Sequence, residues 1–490
     1  MKRRDFLKIG AVSAVYGAMG VSSLKADEAS DYKAIVVLFH AGGNDSLNMF
    51  IPSGEDPQKG YPNYHNIRNN IRVEEKELTL PNSQGLHLTP GNNPYDVRND
   101  LTLAYTKGFY RHEGLDYATN GLMPELAHLI NRGKVAIVAN CGNLIEPVTK
   151  EQLLSKKKPR PPFLFAHNHQ TKLAFNGEAS KLDYSGWAGR VYDHWIRLNP
   201  HSIYTMTIGI NRGGHLLDGR QTSPLIIGSK GPTKYRLAGH ERQMYDEFLS
   251  LERRDIFFRL YNAMRRHSFD MQDKIVEDWH NLSPGFDGIT NAYGQPLFSH
   301  PDNATLNQTG SNTASMEVLD SLHAVVRLMK IGKDNGLKRQ IFYVRDGGYD
   351  THHSQARQHA KKLRGLLLGI GDFYKALEVL GMEEDVTLLS LSEFGRSTGN
   401  NDDGTDHAWG ASYFMLGGAV RGGLYGQMPD LTLGSEDDLT HKGRLIPTTS
   451  FTQYYATVLR WFGLEEAAIA QILPELDNFA LKDLGCLAKG

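Results

Sequence analysis

The apolar positions of this chain fall into short continuous runs separated by long polar stretches, the pattern of strands covered on both faces. Ala34-Ile-Val-Val-Leu-Phe39 is the first run and ends at the breaker Gly42-Gly43. Val135-Ala-Ile-Val-Ala139 is the second, preceded by a helical stretch from Met123 to Asn131 that Gly133 closes. Gln340–Val344, Val386–Leu391 and Ser412–Leu416 complete the set, the last ended by Gly417-Gly418. After the third run, Leu363, Leu366, Leu367, Ile370, Phe373, Leu377 and Leu380 recur on one face of a helix. Strands alternating with helices predict an α/β domain with an open, mostly parallel, doubly wound sheet and helices on both faces.

The polar stretches add detail without breaking this pattern. Residues 52–120 are rich in Asn, Pro, Gly and Tyr and read as an elaborated loop region. Lys156-Lys-Lys-Pro-Arg160-Pro-Pro reads as a solvated basic loop, and residues 239–282 as one or two charged amphipathic helices covering the outside. No internal repeat and no linker divides the chain. Residues 27–490 are therefore expected to form one domain, with insertions at about 52–120 and 211–335.

The N-terminus is different. Met1-Lys-Arg3-Arg4-Asp-Phe-Leu-Lys8 precedes an uncharged run from Ile9 to Leu24, which is the layout of a twin-arginine signal. The run is rich in Gly, Ala and Ser, and is weakly apolar for a spanning helix, which needs roughly 20 apolar residues. Small residues around Ser22–Ala26 place cleavage near Ala26, so residues 1–26 are expected to be a signal peptide. The expected partner is the twin-arginine translocase, and the expected location is periplasmic or secreted, with no stable membrane span after cleavage. This route carries folded proteins, often ones that have already acquired a metal or cofactor.

Composition narrows the partners. The net charge is −1, so no global field favours nucleic acid or an anionic membrane. The two cysteines, Cys141 and Cys486, lie in no metal-finger spacing and read as separate buried thiols, with a disulfide as the alternative. The twenty histidines matter through their positions.

Ligands of open α/β sheets bind at the carboxyl ends of strands. His40-Ala-Gly-Gly-Asn-Asp45-Ser46 follows the first run, and Asp346-Gly-Gly-Tyr-Asp350-Thr-His352-His353 the third. Ser392-Glu393-Phe-Gly-Arg396 follows the fourth, and Gly404-Thr-Asp406-His407 precedes the fifth. Mixed carboxylates and imidazoles suit a divalent ion. Asp45, Asp346, Asp350, His352, Glu393, Asp406 and His407 are the candidate ligands, with Asp346 and Asp350 facing one ion across a turn. Arg396 is a candidate for holding an anionic group bidentately.

These residues also carry a resemblance. Val36–Asn48, Phe165–Gln170, Gly186–Arg190, Asp346–His352, Ser392–Arg396 and Gly404–His407 resemble, in order, motifs of the exported bacterial family catalogued as domain of unknown function 1501. That family is similar to the alkaline phosphatase and sulfatase superfamily. The resemblance implies an alkaline phosphatase-like sheet with a centre of two divalent ions at its strand ends, the metal being zinc, manganese, magnesium or calcium. It maps ligands onto Asp45, Asp346, Asp350 with His352 nearby, and His407. The Asp-His pair expected after the fourth strand is Glu393-Phe394 here, a departure that favours one ion over two. The family's Ser-His segment is Ala166-His167 here, which removes that serine. Ser46 remains as a candidate nucleophile beside an activated water, with His167 and His169 as ligands or general acids. Two functions follow: an exported metal-dependent hydrolase of small anionic phosphate or sulfate esters, or a non-catalytic periplasmic binding or assembly protein that retains the fold.

Overall fold

The computed structural model describes residues 31–80, 86–88, 105–196, 204–233, 239–251, 255–300 and 316–488. The signal segment, with Arg3 and Arg4, lies outside the described residues.

The first apolar run forms β1 (Lys33–Ala41), buried along its whole length. The short strands β2 (Phe50–Pro52), β3 (Phe109–Arg111) and β4 (Tyr117–Asn120) follow, then β5 (Val135–Gly142), β6 (Thr207–Ile210) and β7 (Leu225–Ile227). The later runs form β8 (Arg339–Gly347), β9 (Val386–Leu391) and β10 (Ala411–Gly417), followed by β11 (Gly423–Gly426) and β12 (Thr449–Ser450). The main sheet has the order β11-β5-β10-β9-β1-β8-β6-β7, with β12 also paired to β5. β1 is its centre: it pairs in parallel with β8 from Lys33↔Arg339 to Ala41↔Gly347, and with β9 from Ala34↔Val386 to Phe39↔Leu391. β10 alone runs backwards, antiparallel to both β5 and β9.

Alternation along β1 divides the core. Ile35, Val37 and Phe39 face one layer with Trp187, Phe451 and Tyr455, on the helices Trp187–His194 and Phe451–Phe462. Val36 and Leu38 face the other with Leu322, Val325, Leu363 and Leu366, on the helices Glu317–Asp334 and Gln355–Leu380. Each such aliphatic side chain contributes about 1.5–3 kcal/mol on burial, so a sheet covered on both faces is the favoured packing of these runs. The expected mixed α/β architecture is what the structure shows.

Two stretches hold more order than the sequence announces. Within 52–120, β3 and β4 form a three-stranded sheet with β2, and a helix spans Tyr61–Ile67. Within 211–335, β7 is a strand of the main sheet and Glu317–Asp334 is a core helix. The outer helices at 239–282 are His240–Ser250 and Ile256–Asn281. Among the described residues no helix is long and apolar enough to cross a membrane. Cys141 and Cys486 are buried free thiols.

Arg68, just past the helix Tyr61–Ile67, enters the interior completely. Its Nη1 donates to Asp45 Oδ2 at 2.5 Å and Asn48 Oδ1 at 3.1 Å. Its Nε and Nη2 donate to the carbonyls of Thr398 (2.8 Å) and Ser397 (3.0 Å). One side chain thus ties the loop after β1 to the loop after β9. Arg68→Ala is expected to cost about 3–5 kcal/mol, because it leaves Asp45 buried without its counter-charge. Urea denaturation measures this, and a loss under about 1 kcal/mol would place Asp45 in a wetter environment than the one described.

Candidate metal centre

Parallel strands deliver the loops after β1, β8 and β9 to a single edge of the sheet. Because β10 is reversed, the residues before it, Gly404–His407, reach this same edge. The helix His167–Asn176 also starts there, with Ala166 at its N-cap. Two glycines permit the crowding. A Cβ on Gly42 (φ +125°) would stand 2.4 Å from Asp350 N, and one on Gly404 would stand 2.1 Å from His352 O.

Asp350 is the focus. His352 Nε2 lies 3.0 Å and His407 Nε2 3.1 Å from its Oδ1, and His167 Nε2 lies 3.5 Å from its Oδ2. The Nε2 atoms of His352 and His407 are 3.0 Å apart. Each ring is held through its other nitrogen. His167 Nδ1 is 2.7 Å from Glu393 Oε1, His407 Nδ1 is 3.0 Å from the Phe165 carbonyl, and His352 Nδ1 is 3.4 Å from Asp406 Oδ1.

A carbonyl and an ionised carboxylate only accept, so Nδ1 of His407 and of His167 must donate. In the neutral rings Nε2 then carries a lone pair, and both lone pairs face the oxygens of Asp350. His167 Nε2 is buried with no hydrogen-bond partner. Facing lone pairs repel unless a cation lies among them. Imidazoles fixed by outer acceptors around a carboxylate are the arrangement of a metal centre.

Two of the supports, Glu393 and Arg396, are buried. Gly42 N donates to Glu393 Oε1 and Oε2 at 3.0 and 3.2 Å. Arg396 Nη1 donates to Asp350 Oδ1 at 2.8 Å, its Nε to Thr405 Oγ1 at 3.1 Å, and its Nη2 to the Thr405 carbonyl. For Asp350 burial acts to raise the carboxyl pKa, but Arg396, His407 and His167 outweigh it and the value falls below the ordinary one. The hydrogen bond to Glu393 raises His167 against its own burial, whereas burial lowers His407 despite Asp350. The two imidazoles are thus driven in opposite directions.

Of the sequence candidates, Asp350, His352, His407 and His167 come together, with Glu393, Asp406 and Arg396 as their supports. Asp45 and Asp346 do not join them. Asp45 is taken by Arg68 and by Gln355 Nε2. Asp346 lies within β8, fully buried, its oxygens on Lys362 Nζ and on the Tyr349 hydroxyl at 2.6 Å. Asp346 and Asp350 therefore do not face one ion: one carboxylate belongs to the strand, beneath the helix Gln355–Leu380, and the other to the loop beyond it. His40, 3.9 Å from Asp346, is pushed down to about 3 by burial. Ser46 Oγ accepts from Ser412 N at 2.9 Å and bonds to none of the histidines, so the geometry gives it no part as nucleophile. Arg396 is wholly buried in its bonds to Asp350 and Thr405 and positions a carboxylate instead of meeting a ligand. His169 stacks on Phe163 at 4.2 Å between ring centroids. Sequence reading missed the Phe165 carbonyl, which has no side-chain signature, and the cations Arg68 and Lys362, whose pairing with Asp45 and Asp346 follows no local spacing rule.

Residues 298–472 match the model of the family described as "Protein of unknown function (DUF1501)", in agreement with the resemblance carried by the motifs. No curated protein matches the chain. Among solved structures, it is similar to Ps i-CgsB in complex with k-i-k-neocarrahexaose at 10% identity, covering 89% of this chain and 74% of that one, with a TM-score of 0.31. It is similar to the phosphonate monoester hydrolase SpPMH from Silicibacter pomeroyi at 10% identity, covering 70% and 69%, TM-score 0.32. The sulfatase PsFucS1 from Pseudoalteromonas sp. is similar at 12% identity, covering 100% and 78%, TM-score 0.28.

In metal-free protein, Glu393→Gln is expected to bring the pKa of His167 down toward that of a free imidazole. Side-chain NMR titration across about pH 5–9 reads this directly. A histidine whose folded pKa is raised contributes stability that is full below its unfolded pKa and lost as pH rises through the folded one. The variant should therefore lose that increment at low pH. An unmoved His167 titration would show that Glu393 does not govern this ring.

Proposed function

We propose that this chain is an exported, metal-dependent hydrolase of phosphate or sulfate esters, with one divalent ion held by Asp350, His167, His407 and His352. The observation that carries this reading is the convergence of Nε2 atoms on the Asp350 carboxylate, each ring fixed from behind. Asp350, His167 and His407 each offer one ligand atom within 4.8 Å of the others. Three imidazole nitrogens and one carboxylate suit zinc or manganese better than calcium or magnesium, which prefer oxygen. Among the described residues a second ion has no comparable donors, because Arg68 and Lys362 already neutralise Asp45 and Asp346.

A bound divalent ion would supply Lewis acidity toward an ester oxygen. The remaining work falls to side chains. Glu393 and the Phe165 carbonyl hold the tautomers and orientations of His167 and His407, Asp406 lies 3.4 Å behind His352, and Arg396 fixes Asp350. Among the described residues no hydroxyl or thiol side chain hydrogen-bonds to Asp350 or to the three histidines. Water is therefore the nucleophile in this reading, adding to phosphorus or sulfur as the ester oxygen leaves with a proton. The same observation favours a second reading, a protein that keeps the centre but performs no chemistry. The twin-arginine layout at Arg3-Arg4 supports export of an already folded, metal-loaded protein.

Elemental analysis of the folded mature protein should find about one equivalent of zinc or manganese. Asp350→Ala and His407→Ala should each lose most of it while remaining folded by circular dichroism. Screening phosphate and sulfate monoesters separates the two readings, since metal without turnover would select the non-catalytic one. Wild-type protein that neither carries nor takes up a divalent ion, and turns over none of these esters, would sink the proposal.

A further inference from the structure

A centre that takes an anionic ester needs a free cation, and the obvious arginine is not free. Asp350, Glu393 and Asp406 already place three carboxylates around the three imidazoles. Arg396 spends its donors on Asp350, Thr405 and the Gly42 carbonyl and is wholly buried. Lys362 is bound to Asp346.

Arg444 is placed differently. Its Nε donates to the His407 carbonyl at 2.9 Å, and its guanidinium lies over the Phe165 ring, 4.4 Å from the centroid. Those are the residue that contributes Nε2 to the centre and the residue whose carbonyl orients that ring. Among the described residues, neither Nη of Arg444 has a protein acceptor, and the side chain is half-buried.

The mount is rigid on both sides. The buried Asp438 carboxylate accepts the backbone N–H of Arg444 at 2.9 Å, and also those of Gly434, Thr440 and Gly443. The Arg444 carbonyl accepts from Leu439 N at 3.1 Å. Below it, Phe165 has φ +75°, a left-handed conformation that a bulky residue adopts only when its surroundings enforce it. That conformation places the Phe165 carbonyl on His407 and its ring beneath Arg444 at once. Strain held in one residue thus links the orientation of a candidate ligand to the seating of a cation. A stacked guanidinium whose two Nη atoms have no protein acceptor among the described residues is a preformed fork for two oxygens of one tetrahedral anion.

We infer that Arg444, and not Arg396, is the residue that binds the charged group of the substrate, a tetrahedral oxyanion of the phosphate or sulfate class. The inference rests on the reading of the centre given above and adds its anion-binding residue.

The test is calorimetric titration of inorganic phosphate, and separately inorganic sulfate, into wild-type, Arg444→Ala and Arg444→Lys proteins whose metal content has been measured. Arg444→Ala should keep the wild-type metal content and weaken binding of the preferred anion by about 10- to 100-fold, as expected for charge-assisted bonds. Arg444→Lys, which keeps the charge but loses the fork, should fall between them and serves if the alanine variant does not fold. Equal affinity in all three proteins, or no binding of either anion to wild type, overturns the assignment and leaves the metal centre standing. If wild type carries no metal, the proposed hydrolase fails separately. The titrations on metal-free protein then decide Arg444 by the same comparison.

Discussion

The backbone of Gly42 packs against the backbone of Asp350 so closely that no side chain fits between them. A Cβ there would lie 2.4 Å from Asp350 N. This contact joins the end of the central strand to the loop beyond β8. Two further bonds start from the same residue: its N–H is held by Glu393 and its carbonyl accepts from Arg396 at 3.3 Å. Three loops, from β1, β8 and β9, are thereby fixed relative to one another before any ligand arrives. Preorganisation of this kind lets an edge made of loops hold side chains to within fractions of an ångström.

Charge decides what each carboxylate at this edge does. Removing a carboxylate from water costs several kcal/mol unless a partner replaces the solvent. Asp45 and Asp346 are fully buried and have Arg68 and Lys362 as permanent counter-ions, so their task is architectural. Glu393 is buried on backbone and imidazole N–H groups and orients a ring. Asp350 is left open, its side chain 44% exposed, and it is the carboxylate with three imidazoles around it. Burial combined with a fixed cation removes a carboxylate from chemistry. Partial exposure combined with titratable neighbours keeps one available.

Arginines divide in the same way. Arg68 and Arg396 are internal braces whose donors end on protein oxygens. Arg444 is fixed by its backbone and one nitrogen, which leaves the rest of its fork without a protein acceptor among the described residues. The motif Ser392–Arg396 drew attention to the first kind because it stands beside a strand end. Nothing in the local sequence around Arg444 marks the second kind, because its value comes from Phe165 and His407, both distant along the chain.

The sequence by itself determined the layers and the neighbourhood of the centre. Strands buried on both faces are apolar at nearly every position of their middles, so β1, β5, β8, β9 and β10 were legible as runs, and the helix Gln355–Leu380 as a stripe. Shorter strands such as β2, β3, β6 and β7 carry too few residues for such a signal. The polar segments that follow strands were also legible as the place for ligands, since side chains at strand ends must face the same edge. Only the tertiary structure decided which of those polar residues meet. An apolar run has no arrow, so the reversal of β10 that brings His407 to the edge could not be read from Ser412–Leu416. Nor could the pairing of Asp45 with Arg68 or of Asp346 with Lys362, because a counter-ion is chosen by three-dimensional proximity and desolvation, neither of which leaves a mark in local sequence.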